Sequence, residues 1–194
     1  MSREDGFPHF NELQPEDAGM FKAHLQRARN ANPMGAAVDV HKVADYKKSR
    51  MFMTNDGLAG YAVHPSGELT SVFKHPDSPY RDVARHAAEH SALLGGATHA
   101  SAFDPKLPEM YGKGGFRALS HVQWNEEYKP PRWKVRRQGR PDVAFLGADR
   151  SVAKEMNSGQ KTYRPGSTPE VPDYDTGMAQ AKKHGEGEAN ARNR

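Results

Sequence analysis

Leu107-Pro108-Glu109-Met110-Tyr111-Gly112-Lys113-Gly114-Gly115-Phe116 stands just after the apolar run Ala100 to Phe103 and Asp104. The stretch reads as a short helix with a tyrosine near its end, a glycine stop, and a Gly-Phe pair that opens a new strand. The apolar run before it reads as a strand over His99–Phe103, with the helix over Pro105–Gly114 and the new strand over Phe116–Gln123.

Working toward the N-terminus, Ser78-Pro79 reads as an N-cap followed by proline at the first helical position. That helix extends to Leu94, where Gly95-Gly96 stops it. Its face at Val83, Ala84, Ala87, Ala88, Ser91 and Leu94 is mostly small, which suits close packing on a sheet. Three short apolar runs precede it: Met51–Thr54, Ala59–Val63 and Leu69–Phe73. Asn55-Asp56-Gly57 and Pro65-Ser66-Gly67 separate them as turns, so the three form an antiparallel meander. Further back, Pro15-Glu16-Asp17 opens a helix carrying Met20, Phe21, Ala23, His24, Leu25 and Ala28 at helical spacing, and Asn30 to Gly35 ends it. Val38–Tyr46 reads as either a short helix or an extended link.

Toward the C-terminus, Asn125–Arg140 is a polar, proline-containing connection with Trp124 just before it and Trp133 at its middle, and Val143–Leu146 is the last strand. From Arg150 to Arg194 the chain turns to Gly, Pro, Lys, Glu, Asn and Ser. Little there can bury enough apolar area to offset chain entropy, so a solvated tail is expected. The division is an N-terminal helical segment over 1–49, a core over 50–149 and an extended polar tail over 150–194.

Composition sets outer bounds. Only 36% of the 194 residues are apolar, and 28 Lys and Arg against 24 Asp and Glu leave a net charge of +4. The mean hydropathy is −0.90 and the isoelectric point about 9.2. Such a mild excess permits phosphate-bearing partners without requiring them. The absence of cysteine excludes disulfides, thiolate metal sites and cysteine nucleophiles. No apolar run reaches the ~20 residues that span a bilayer. Met1-Ser2-Arg3-Glu4-Asp5-Gly6 lacks the apolar centre of a secretion signal, so a cytoplasmic protein without a membrane partner is expected.

Three meander strands, a helix, a strand, a short tyrosine-bearing helix and two more strands is an order that resembles the GNAT-type N-acetyltransferase superfamily, over roughly Met51–Ala148. The resemblance implies an α/β (α+β) fold whose mixed, mostly antiparallel sheet is flanked by helices. It also implies that the third meander strand and the next strand part to admit acetyl-CoA, with an amine as acceptor. By the same resemblance, Ser71, Val72 and Phe73 supply backbone donors, and the loop with Lys74, Ser78, Tyr80 and Arg81 receives the pyrophosphate. Tyr111 would protonate the departing thiolate and Glu68 would serve as base, each with a plainer alternative: a helix tyrosine packed on the sheet, and a solvated strand end. Asp104 stands where the family often has a cofactor-side asparagine, or else caps the following helix. The chain departs from the family in the phosphate loop, where Pro79, Asp82 and Ala84 fall at places usually held by Arg or Gln, Gly, and Gly or Ala.

Three other readings compete. His86-Ala87-Ala88-Glu89-His90 has the spacing of an inverted zinc-peptidase motif but lacks a third ligand, and no metal is expected. Arg132-Trp133-Lys134-Val135-Arg136-Arg137-Gln138-Gly139-Arg140 joins cations to an aromatic, a pattern suited to nucleic acid or to an ordinary basic loop. Phe103-Asp104, Tyr111 and Gly115-Phe116, followed by Trp124-Asn125 and Pro141-Asp142-Val143, resemble GNAT-like proteins of phages and mobile elements. That resemblance implies a non-enzymatic alternative: a virion or assembly component whose tail contacts neighbouring subunits.

Overall fold

The computed structural model describes residues 6–194. The expectation about a secretion signal falls largely on residues 1–5, outside the described residues. The chain is mixed α/β with two sheets. The first has the order β1-β2-β3-β4, from β1 (Asn11–Leu13), β2 (Arg50–Met53), β3 (Ala59–Val63) and β4 (Leu69–Lys74), all antiparallel. The second has the order β5-β7-β6, from β5 (His99–Phe103), β6 (Phe116–Val122) and β7 (Val143–Ala148). The meander and the three later strands stand within a residue or two of the sequence expectation. β1 was not expected: its three residues carry no alternation, and Glu12 is held there by a paired guanidinium from Arg50 at 2.7 and 2.8 Å.

Two helices cover one face of the first sheet. α1 (Ala18–Ala31) buries Ala18, Phe21, Leu25 and Ala28, a stripe at helical spacing. α2 (Val43–Lys48) resolves the ambiguous stretch into an extended link followed by a single short helix, and its Tyr46 is fully buried. Phe21 meets Tyr46 and Phe73 edge-on, which locks α1 and α2 onto β4.

On the opposite face lies α3 (Val83–His90), continued by a wider turn over Ser91–Gly95. The sequence places this helix's start at Ser78, and the structure corrects that. The Ser78 hydroxyl accepts from the Tyr80 amide, a local turn rather than a cap, and Asp82 takes a left-handed backbone with φ 51°. The helix starts only after that reversal. α4 (Lys106–Lys113) agrees with expectation in extent, but Asp104 does not cap it. The Asp104 carboxylate instead accepts from the Tyr163 hydroxyl.

The largest departure lies past β7. After the one-turn α5 (Val135–Gln138) in the β6–β7 connection, and where the sequence reads as an extended polar tail, the chain forms α6 (Arg150–Asn157) and the nineteen-residue α7 (Tyr174–Arg192). α7 lies against the outer face of the second sheet through Gly177, Ala181 and Gly185, a ridge without bulk at every fourth position. This close approach explains β7. Ala144, Leu146 and Ala148 face the main core, while Phe145 faces α7 and Val171.

Asp149 ties α6, α7 and β6 together. Its carboxylate accepts from Arg117 at 2.7 Å, the Ser151 amide at 3.0 Å and His184 at 3.1 Å. Burial opposes its ionisation, but those donors outweigh burial and hold the carboxyl well below its usual range. A depressed carboxyl contributes stability that is complete above its unfolded value and is lost as pH falls toward the folded one. Asp149→Asn should therefore cost about 2 kcal/mol at pH 7. In urea titrations the gap to the parent should narrow steadily below about pH 4. A gap independent of pH would mean that the carboxylate's charge contributes nothing.

Candidate functional site

β4 and β5 run parallel and touch at one end only. The Thr98 amide donates to the Gly67 carbonyl at 2.8 Å, and a single isolated parallel bridge joins Glu68 to His99. Beyond that point the two strands belong to different sheets. A slot therefore opens toward their C-terminal ends, the V that the family resemblance implies. The same region of β4 is irregular. Its register against β3 shifts between Gly60 and Ala62, and Ser71 takes φ 54°. A bulge there turns backbone groups out of the ladder.

Glu68 immediately precedes β4, beside the point of divergence. Burial pushes its carboxyl up to about 7, and the charge of Asp39 adds to the shift. Tyr111 comes from α4. Its ring packs on Phe116 and is only 5% exposed, and its hydroxyl makes no hydrogen bond to any described residue. Burial first, then Asp39, pushes the phenol above its usual range, so it stays protonated.

Asp39 is the residue that sequence reasoning missed. It lies on the extended link before α2, where its carbonyl accepts from the Ser71 hydroxyl at 2.9 Å. That hydroxyl is also hydrogen-bonded to Tyr46 at 2.8 Å. Solvent reaches Asp39, but the protein around it raises its carboxyl, against the pull of His41 and Arg29. Its charge is felt by Glu68, Tyr111 and Tyr174 alike. Tyr174 opens α7 and bonds Ser101 of β5 at 2.8 Å; burial pushes its phenol up to about 12. The charge of Asp39 thus reaches a second carboxyl and two phenols, Tyr111 on the main-core face of the second sheet and Tyr174 on its α7 face. Nothing in the sequence around Asp39 or Tyr174 advertises this, because each arrives from a segment remote from β4 and β5.

The other expected residues divide. Phe73 is buried on the α1 side, and the Ser71 side chain is committed to Tyr46 and Asp39, so neither side chain lines the slot; only their backbone is available. Val72 packs toward the main core. Lys74 is exposed, and its carbonyl accepts from Asn32 at 3.4 Å. The Arg81 amide donates to Gly6 at 2.8 Å, which takes that donor out of the phosphate loop. Asp104 faces Tyr163.

The residues fit a bound pyrophosphate at the first turn of α3. The Val83, Ala84 and Arg85 amides find no acceptor among the described residues, and Nε of Arg85 and Nε2 of His86 are buried without a partner. Asp82 takes, at φ 51°, the left-handed conformation that glycine usually supplies. Asp77 and Asp82 oppose an anion there.

His86 and His90 do not converge on a metal. His90 bonds the Tyr61 hydroxyl and packs against Phe10 and Phe52, while His86 packs against Phe7. Asp149, His184 and Glu188 approach one another closely, but the Arg117 guanidinium already occupies Asp149 and would face any cation. Trp133, expected as a stacking surface, is 6% exposed and packs on Phe103 and Trp124 at 4.9 and 5.4 Å. Among the described residues no helix is long and apolar enough to cross a membrane.

No family model and no curated protein matches the chain. Among solved structures it is similar to a GCN5-related N-acetyltransferase from Rhodopseudomonas palustris, at 16% identity and a TM-score of 0.43, covering 74% of this chain and 96% of that one. It is also similar to the dodecameric spermidine N-acetyltransferase from Vibrio cholerae, at 13% identity and a TM-score of 0.45, over 78% and 98%. A third is a CoA-dependent acyl-homoserine lactone synthase, at 13% identity and a TM-score of 0.42, over 90% and 98%. The fold is GNAT-like by its own strand order, the parting of β4 from β5, and the helices that follow each.

Proposed function

We propose that the chain is an acyl-CoA-dependent N-acyltransferase acting on an amine. The observation that carries this reading is the parting of β4 from β5 beside Glu68, with the charge of Asp39 felt by both Glu68 and Tyr111. Acyl-CoA would supply the activated thioester; the α3 first turn and the β4 backbone would hold it.

The chain's own residues supply the rest. An amine reaches the slot as an ammonium ion, and the two carboxyls attract it. Glu68, poised near neutrality, accepts the proton that must leave before nitrogen can attack. Backbone amides at the Ser71 bulge face the carbonyl oxygen as it gains charge. As the C–N bond forms and the C–S bond breaks, Tyr111 Oη holds the proton that the departing sulfur needs. One observation favours the enzyme over the virion alternative: α7 is seated on β7 of its own chain instead of extending toward neighbouring subunits.

Two measurements test the proposal together. Calorimetry with acetyl-CoA should give saturable heat, and the absence of heat at millimolar ligand rejects the reading. Tyr111→Phe should then lower kcat about 100-fold, a typical general-acid contribution. Because the hydroxyl has no protein partner among the described residues, the variant should bind acetyl-CoA and melt as the parent does. An unchanged kcat removes Tyr111 from the chemistry.

A further inference from the structure

The β6–β7 connection carries a surface that acyl transfer does not use. Six cations lie between Lys129 and Arg140 with no acidic residue among them, more than the whole chain's net charge of +4. Lys129, Lys134, Arg136 and Arg137 line an open depression of about 600 Å³ floored by Trp133 and Val135. Lys129 and Arg140 reach Glu126, at 3.9 and 2.5 Å. Lys134, Arg136 and Arg137 have no acidic partner among the described residues, and all three are exposed.

The segment is also tied down by its own contacts, which separates it from an ordinary solvated loop. Trp133 anchors it to Phe103 and Trp124, and its ring N–H donates to the Gly139 carbonyl at 3.0 Å. The Lys134 amide donates to Gln138 at 2.7 Å, and Arg132 donates to Asn30 at 2.6 Å. Cations fixed by their backbone lose little entropy when an anion arrives. Beside Lys129, Tyr128 is 77% exposed, an aromatic with nothing packed over most of its ring.

We propose that this surface binds single-stranded nucleic acid, with phosphates on Lys134, Arg136 and Arg137 and a base stacked on Tyr128. Two arginines and a lysine fit phosphate oxygens, and an exposed phenol suits an unpaired base. Duplex bases are already stacked on one another, so a single strand is the form that uses both features. The stacking aromatic is Tyr128 and not Trp133, whose ring is committed to the core.

The test uses the full chain and a fluorescein-labelled twelve-nucleotide oligothymidylate, read by anisotropy. Three phosphate contacts predict a loss of affinity of roughly 20-fold between 50 and 200 mM salt. The Arg136→Gln/Arg137→Gln double variant should bind at least tenfold more weakly at 50 mM salt and lose most of the salt dependence. Tyr128→Ala should weaken binding at every salt concentration and leave the salt slope unchanged. All these side chains are exposed, so thermal melts should match the parent, and acetyl-CoA binding serves as an independent check of the slot. Equal binding of poly-glutamate, equal binding of a duplex, or full affinity in the arginine double variant would each overturn the proposal.

Discussion

Glu68→Gln is expected to lower kcat/KM for acyl transfer by about 100-fold or more at pH 8, the scale of a lost general base. In the parent, kcat/KM should rise with pH through a midpoint near 7, because the carboxyl must be ionised to take a proton and burial has pushed it up to about 7. That rise should vanish in the glutamine variant. Glu68→Asp keeps a carboxyl one methylene short and should keep the rise at a reduced rate. Stability separates this role from a structural one. A carboxyl raised above its unfolded value binds its proton more tightly in the folded protein, so its ionisation weakens the fold as pH passes 7. Glu68→Gln should therefore melt no lower than the parent at pH 8. A variant that retains full activity and the same pH profile would move the base to Asp39, the carboxyl whose charge reaches both Glu68 and Tyr111.

The central elements were legible because each carries its own local signal. Asn55-Asp56-Gly57 marks a hairpin, Gly95-Gly96 a helix stop, and Tyr111 sits between a helix start and a glycine pair. The resemblance carried by their order then implies a slot between β4 and β5, and Glu68 stands beside it. What stayed hidden depends on contacts remote in sequence. Asp39 comes to β4 only because Tyr46 and Ser71 fix the link before α2. The start of α3 was misplaced because Ser78-Pro79 has the chemistry of a cap, and nothing local announces that Asp82 reverses the backbone first. One signal was present and unused. Val143 to Leu146 is apolar without alternation, and a strand of that kind is buried on both faces. The main core covers one face, so something later in the chain had to cover the other.

That cover is α7, and its glycines yield the sharpest stability test. Gly185 and Gly187 are two residues apart in the same helix, but they meet opposite surroundings. A Cβ at Gly185 would lie 1.8 Å from the Thr98 carbonyl oxygen, and one at Gly187 would have nothing within 4 Å. The Thr98 oxygen cannot retreat freely, because it accepts from the Ala148 amide at 2.8 Å beside the point where β4 and β5 part. Helix propensity alone favours alanine over glycine by up to about 1 kcal/mol at either position. Gly187→Ala should follow that preference and raise the melting temperature by a few degrees. Gly185→Ala should reverse it, since the helix must lift from the sheet to admit the methyl group. A net loss of about 2 kcal/mol, or roughly 6 °C in the melting temperature, is expected. The lift would also strain the His184–Asp149 contact at 3.1 Å and the hinge end of the slot. Acetyl-CoA affinity should consequently fall in Gly185→Ala and hold in Gly187→Ala. If both substitutions stabilise alike, α7 does not pack on the sheet in solution, and the second face of β7 must be covered by something else.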